Sequence, residues 1–328
     1  MPAAGGRDGM TPALEVRNLR KTFGGGRSLM GKPLPAVHAV RDVSLSVRRG
    51  ETLGIVGESG CGKSTLARML VGLLKQSEGE IAIEGKNLSD QMGDPAAFGR
   101  LIQYVFQDPI SSLNPRKTIR EILEAPLIHL LGMDEGGRRA RIAELFEAVN
   151  LRKEFLSRYP HEFSGGQAQR IGIARALAAA PRILVLDEPV SALDVSVQAQ
   201  VLNLLAELRK AMDLTYLFIS HDLAVVEAVS DSVAVLYFGR VVEVGRAEAI
   251  FTAPRHPYTD LLARSAPIVG RDLGRTESQA VELPDPLSPP PGCAFAARCP
   301  KATALCRDRV PAMEAFSEHH EAACHHAN

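Results

Sequence analysis

The sequence lacks net charge, long apolar runs and internal repeats, and each absence removes a class of protein. Its 328 residues carry 38 Lys+Arg against 38 Asp+Glu, so there is no strongly basic field of the kind that marks a nucleic-acid or anionic-membrane binder. No uncharged apolar stretch approaches the roughly 20 residues that span a bilayer. The opening MPAAGGRDGM also lacks the apolar core of a secretory signal, and the expectation is a cytosolic chain. A chain of this length buries a full hydrophobic core without a disulfide scaffold. Cysteine is scarce: Cys61 stands alone in a Gly-rich stretch, while Cys293, Cys299, Cys306 and Cys324 crowd the end. In a reducing compartment such a cluster points to metal before disulfides.

What is present is an alternation of strand-like and helix-like segments. LEVRNL, VHAVRDVSLSV, ETLGIVG and EIAIEG read as strands, rich in Val, Ile and Leu at period two. Lys63 to Leu74 has apolar residues at helical spacing. The stretch from about Thr118 to Ala180 reads as mostly helical, with a polar break at DEGGRR. RILVLD and TYLFIS read as buried strands on either side of an amphipathic helix from Ser196 to Lys210, and DSVAVLYFG with RVVEVG reads as a hairpin. Strands alternating with helices predict an α/β fold with a largely parallel sheet covered on both faces. After about Gly270 the chain turns to Pro, Gly and polar residues, the mark of a linker, and the cysteine-bearing tail follows.

GESGCGKST, Gly57 to Thr65, fits G-x-x-x-x-G-K-S/T completely and falls between a predicted strand and a predicted helix. In such a loop the backbone through Gly57, Ser59, Gly60, Cys61 and Gly62, with the helix start at Ser64 and Thr65, wraps phosphate oxygens. Lys63 neutralises β- and γ-phosphate oxygens, and the Ser64 hydroxyl ligates Mg²⁺. Cys61 itself reads as a small loop residue. RILVLDEP is an apolar strand ending in two acids: Asp187 reaches the Mg²⁺ shell, and Glu188 accepts a proton from an attacking water. Either motif alone has a plainer reading, a Gly-rich turn or a solvated strand end. Together they point to a nucleotide hydrolase.

FSGGQAQR, Phe163 to Arg170, opens a helix shortly before that strand. A Ser and two Gly at a helix start form an anion-binding cap. A chain with one P-loop hardly needs a second such cap, unless it serves another molecule's nucleotide. At this point the sequence resembles the ABC ATPase family, whose signature LSGGQ differs here only at Phe163, an apolar exchange at a packing position. The resemblance implies a P-loop ABC head, a mixed sheet with an antiparallel and a helical subdomain. It also implies that Ser164, Gly165, Gly166 and Gln167 close on the γ-phosphate held by an opposite head. By the same resemblance Gln107 in VFQDP is the Q-loop glutamine, a ligand of Mg²⁺ and the attacking water. Asp194 in SALD belongs to the D-loop at the head-to-head interface, His221 is the switch histidine contacting the γ-phosphate, and Phe23 stacks on adenine. Taken alone, His221 reads as a capping or surface residue, Gln107 as a loop residue and Phe23 as a core aromatic.

Further stretches, VFQDPISSLNPR, EPVSALDVSVQAQVLNLL, HPYTDLLARSAP and PPGCAFAARCP among them, resemble the oligopeptide/dipeptide importer ATPases, from about Leu14 to His325. The insertion GGGRSLMGKPLP resembles the F-type subunit of such importers. The implied partners are a related D-type head, two transmembrane permease subunits and, through them, an extracytoplasmic solute-binding protein, with no nucleic acid. The implied place is the cytoplasmic face of the inner (plasma) membrane. Alternatives are an importer for another solute such as nickel, and a soluble ABC ATPase of DNA repair or translation. The four tail cysteines, separated by five, six and seventeen residues, suit zinc or an iron–sulfur cluster by count. The resemblance implies a 4Fe–4S cluster on Cys293, Cys299, Cys306 and Cys324. His319, His320, His325 and His326 read as substitute ligands or as a frayed polar terminus. The expected organisation is an ATP-binding domain over 12–265 with its helical subdomain over about 108–178, a linker over 266–292 and a four-cysteine extension over 293–328.

Overall fold

The structure is a computed structural model and describes residues 11–26, 32, 34–265 and 284–327. Half of the insertion after Phe23 (27–31 and 33) and most of the linker (266–283) lie outside the described residues. In chain order the elements are β1 (Leu14–Gly24), β2 (Ala36–Val47), β3 (Thr52–Val56), α1 (Lys63–Leu70), β4 (Glu78–Ile83), β5 (Lys86–Asn87), α2 (Leu88–Gln91), α3 (Pro95–Gly99) and β6 (Ile102–Val105). Three longer helices follow, α4 (Ile119–His129), α5 (Glu135–Ala148) and α6 (Gly165–Ala178), then β7 (Ile183–Asp187), α7 (Val195–Met212), β8 (Thr215–Ser220) and α8 (Leu223–Val229). The chain ends with β9 (Ser232–Tyr237), β10 (Arg240–Arg246), α9 (Ala247–Thr252), α10 (Pro257–Ser265), α11 (Ala304–Asp308), β11 (Glu314–Ser317) and β12 (His320–Ala322).

These elements divide into two compact units. Among the described residues, the first takes those up to Glu15, Ser46–Thr52 and Ala82–Ile219; the second takes those of Val16–Leu45, Leu53–Ile81 and from Ser220 onward. In the first unit β6, β7 and β8 pair in parallel, with Val105 opposite Leu186 and Asp187 opposite Ile219. Every residue of β7 and β8 is buried, which is why RILVLD and TYLFIS are continuous apolar runs rather than alternating ones. Helices α4, α5 and α6 pack on one another. The polar break expected at DEGGRR is instead the start of α5: Asp134 caps it by accepting from the Gly137 N–H at 2.8 Å. An Asp preceding a helix satisfies an orphan amide of the first turn, a signal masked here by the two glycines that follow.

In the second unit β3 and β9 are parallel and β9 turns into β10 as an antiparallel hairpin. The extension then joins the sheet, because β12 pairs antiparallel with β10, Gly245 opposite His320, and β11 pairs with β12. Strands β2, β1 and β4 form a separate sheet in that order. Helix α1 is shorter than its periodicity suggests: it stops at Leu70, and Leu73 is exposed. Among the described residues no helix is long and apolar enough to cross a membrane.

Candidate functional site

The P-loop belongs to the second unit and is built between β3, buried along its whole length, and α1. Gly62 caps α1 at φ 106°, and a Cβ there would lie 2.3 Å from the Ala39 carbonyl oxygen, so no side chain fits the turn. The Cys61 carbonyl accepts from the Gly239 N–H at 2.8 Å, and burial raises the Cys61 thiol pKa. Lys63 is 5% exposed. Its Nζ donates to the Gly57 carbonyl at 2.6 Å and to the Glu58 carbonyl at 3.0 Å. The lysine is therefore held inside the loop by the loop's own carbonyls, in a position from which phosphate oxygens are stronger acceptors.

In the first unit the carboxyl end of β7 delivers Asp187 and Glu188. Asp187 is buried, and the Tyr104 hydroxyl on β6 donates to its Oδ2 at 2.5 Å. Glu188 leaves the strand at φ 47°, a left-handed conformation rare for a residue with a Cβ and concentrated at functional sites. Its amide is fixed to the Ile219 carbonyl at 2.9 Å. Gln107, singled out only by the family resemblance, lies against the acid: its Nε2 donates to Glu188 Oε2 at 3.0 Å. The loop carrying Gln107 is braced by Arg175, which donates to the Ser112 carbonyl at 2.6 Å and lies over the Phe106 ring. Tyr104 and Arg175 escaped the sequence reading, since neither carries a motif and each acts across more than sixty residues.

Also in the first unit, Ser164 is the N-cap of α6 in a reciprocal box with Gln167: Gln167 N–H donates to Ser164 Oγ at 3.4 Å, and Ser164 N–H to Gln167 Oε1 at 3.2 Å. Gly165 and Gly166 then occupy the first helical positions, whose N–H groups have no acceptor within the helix. A Cβ on Gly166 would come 2.4 Å from Val197 Cγ1 on α7, so the glycine serves close helix packing as well as exposure of its amide. Asp194 is the N-cap residue of α7. In the second unit His221 is exposed and precedes α8, whose cap is Asp222. Phe23, near the end of β1, is 41% exposed and carries Lys21 Nζ 5.0 Å from its ring centre, which removes the reading of Phe23 as core.

The tail corrects two expectations. Its histidines are not a frayed end: His320 is buried and its Nε2 lies 2.7 Å from Glu243 Oε1, His325 Nε2 is 3.0 Å from the Arg309 carbonyl, and His326 Nε2 is 3.1 Å from Thr303 Oγ1. The four cysteines are all unpaired thiols. Burial first, then the neighbouring thiols, raises the pKa of Cys293, Cys299 and Cys324. Among the described residues, however, no group of three or more His, Cys, Asp or Glu side chains is placed to hold a metal ion. Local contacts engage the sulfurs instead: Cys306 Sγ is 3.5 Å from Thr303 Oγ1, and Cys324 Sγ accepts from the His326 N–H at 3.4 Å. The geometry thus departs from the expected four-ligand shell.

With this geometry in hand, known proteins give a consistent comparison. The ABC transporter family model matches residues 40–191, and the model of the oligopeptide/dipeptide transporter C-terminal region matches residues 242–306. A dimeric post-hydrolysis structure of the ATP-binding cassette MJ0796 with ADP and Pi superposes with a TM-score of 0.63 at 31% identity, covering 71% of this chain and 98% of that one. The structure of cbiO1 from Clostridium perfringens, part of the ABC transporter complex cbiONQ, gives a TM-score of 0.61 at 27% identity, covering 74% and 91%. Fold and motifs are those of an ATP-binding cassette. At the level of sequence, the oligopeptide transport ATP-binding protein AppF of Bacillus subtilis is 46% identical, covering 95% of this chain and 96% of that protein. The dipeptide transport ATP-binding protein DppF of Haemophilus influenzae is 48% identical, covering 96% and 97%. The chain belongs to the family of oligopeptide/dipeptide transport ATP-binding proteins of ABC transporters.

Proposed function

We propose that this chain is the ATP-hydrolysing subunit of an importer for di- and oligopeptides, working at the cytoplasmic face of the inner (plasma) membrane. The hydrolytic part is carried by one observation, the Glu188 carboxylate held by Gln107 at the strand end beside Asp187. A carboxylate on a fixed backbone, with an amide donor on one oxygen, orients a water and accepts its proton. Lys63 and the amides of Gly57 through Thr65 take the β- and γ-phosphates, Phe23 stacks on adenine, and His221 contacts the γ-phosphate. Mg²⁺, when bound, neutralises the charge that develops on the phosphate oxygens. Ser64, Asp187 and Gln107 are hard oxygen donors with a single carboxylate, a set that suits an ion bound partly by substrate phosphate.

Ser164, Gly165, Gly166 and Gln167 serve the nucleotide of a partner head, a related D-type subunit, with Asp194 at the shared interface. Two permease subunits form the pore and receive an extracytoplasmic solute-binding protein. The domain limits follow the sequence: an ATP-binding domain over 12–265, a helical part over about 108–178 and an extension from 293. Peptide cargo is supported by the match to the C-terminal region model. Reconstituting the chain with its membrane partners and assaying uptake tests this: ATP-dependent accumulation of a labelled dipeptide or oligopeptide is expected, and uptake of nickel without peptide contradicts it.

The cysteine extension is included as a 4Fe–4S holder on the number and type of its donors alone, the thiols of Cys293, Cys299, Cys306 and Cys324, and not on their placement. Held by those four thiols, such a centre would fix a small extension and would take no part in hydrolysis. Iron and acid-labile sulfide near four each per chain are expected from anaerobically purified protein; their absence, with or without zinc, refutes this assignment.

A further inference from the structure

Within the second unit the cysteine extension touches the P-loop itself. Arg298, between Cys293 and Cys299, donates from both terminal nitrogens to the two carboxylate oxygens of Glu58, each at 2.8 Å. Glu58 directly follows Gly57 in the phosphate loop. The pair is largely shielded, with side chains 19% and 28% exposed. Arg298 is seated over the rings of Tyr237 and Phe295, 6.0 and 5.7 Å from their centres. Tyr258 packs against both rings, and its hydroxyl accepts the Glu58 N–H at 2.9 Å. The backbone carbonyl of Glu58 in turn holds the Lys63 ammonium at 3.0 Å. All three polar groups of Glu58 are thereby committed: the amide to Tyr258, the carbonyl to Lys63 and the carboxylate to Arg298.

This arrangement settles a conflict built into the loop. A triphosphate is a dense anion, and a carboxylate one residue into its binding loop repels it unless that carboxylate is neutralised and turned away. A bidentate guanidinium does both, because its planar fork fixes the carboxylate's direction as well as its charge. We infer that Arg298 of the C-terminal extension is a positioning residue for nucleotide binding, acting through Glu58 to neutralise the P-loop's own carboxylate and hold the loop open to phosphate. The extension is then part of the nucleotide-binding machinery. The inference rests on the P-loop being the ATP site.

The test is a cycle of variants in the full-length chain, each checked for an unchanged melting temperature and titrated calorimetrically with Mg-ATP. Arg298→Ala is expected to weaken binding about tenfold, and Arg298→Lys by about threefold, since charge is kept but the fork is lost. Arg298→Ala combined with Glu58→Gln is expected to bind within about threefold of the unaltered chain, because removing the exposed carboxylate removes the repulsion. A purely packing role gives no such rescue. Unchanged binding by Arg298→Ala, or a double variant no better than the single one, overturns the inference. Lys63→Ala identifies the other failure: if it binds Mg-ATP like the unaltered chain, the nucleotide assignment falls and the inference with it.

Discussion

The P-loop and the cysteine extension lie in one compact unit, yet they are determined in opposite ways. The loop is a local object: nine consecutive residues place a lysine on its own carbonyls, and one turn admits only glycine. The extension is fastened by partners distant in sequence. Its Arg298 meets Glu58 across 240 positions and its His320 meets Glu243 across 77. A short motif thus defines chemistry, while a small appendage without a core of its own acquires order by completing another region's polar and aromatic groups.

This contrast has consequences that stability measurements reach. The largest is expected at Phe295, which is 1% exposed and packs edge-on against Tyr237 at 5.3 Å. Phe295→Ala should cost about 4 kcal/mol, read by denaturant unfolding; a cost below about 1 kcal/mol shows that the extension is only loosely attached. Next comes a pH effect. His256 is 2% exposed, accepts the Tyr258 N–H on Nδ1 at 3.0 Å, and burial lowers its pKa from 6.5 to about 4. Between those values the unfolded chain takes up a proton that the folded chain refuses. The stability held above pH 6.5 is therefore lost as pH falls toward 4, by about 3 kcal/mol. Unfolding curves from pH 7 downward should show this slope in the unaltered chain and lack it in His256→Gln. The smallest effect is at His320: removing its hydrogen bond to buried Glu243, which keeps the amides of Arg255 and His256, should cost about 2 kcal/mol. An His320→Ala chain as stable as the original contradicts the anchoring of the terminal hairpin.

The same contrast explains what the sequence disclosed. The buried parallel strands, the P-loop, the acidic strand end and the Ser-Gly-Gly helix start were legible because each is a run of neighbours with a characteristic period or cap. Gln107 was legible only by resemblance, and its contact with Glu188 spans 81 positions. Tyr104, Arg175, Tyr258 and Arg298 were not legible at all, since a single aromatic or arginine carries no periodic or spacing signal until the fold brings its partner near. The start of α5 was misread for a local reason, its Asp cap being followed by two glycines. The tail histidines look like a frayed polar end in sequence, but the sheet register sets His320 opposite Gly245 and turns its ring to Glu243.

The role of Glu188 is the hinge of the functional reading, and one substitution isolates it. Glu188→Gln preserves shape and the hydrogen bond to Gln107 while removing the proton acceptor. In the assembled transporter it is expected to bind Mg-ATP with unchanged affinity and to hydrolyse it at least about a hundredfold more slowly at its own site. Normal hydrolysis there by a Glu188→Gln head would contradict the assignment of this residue as the base.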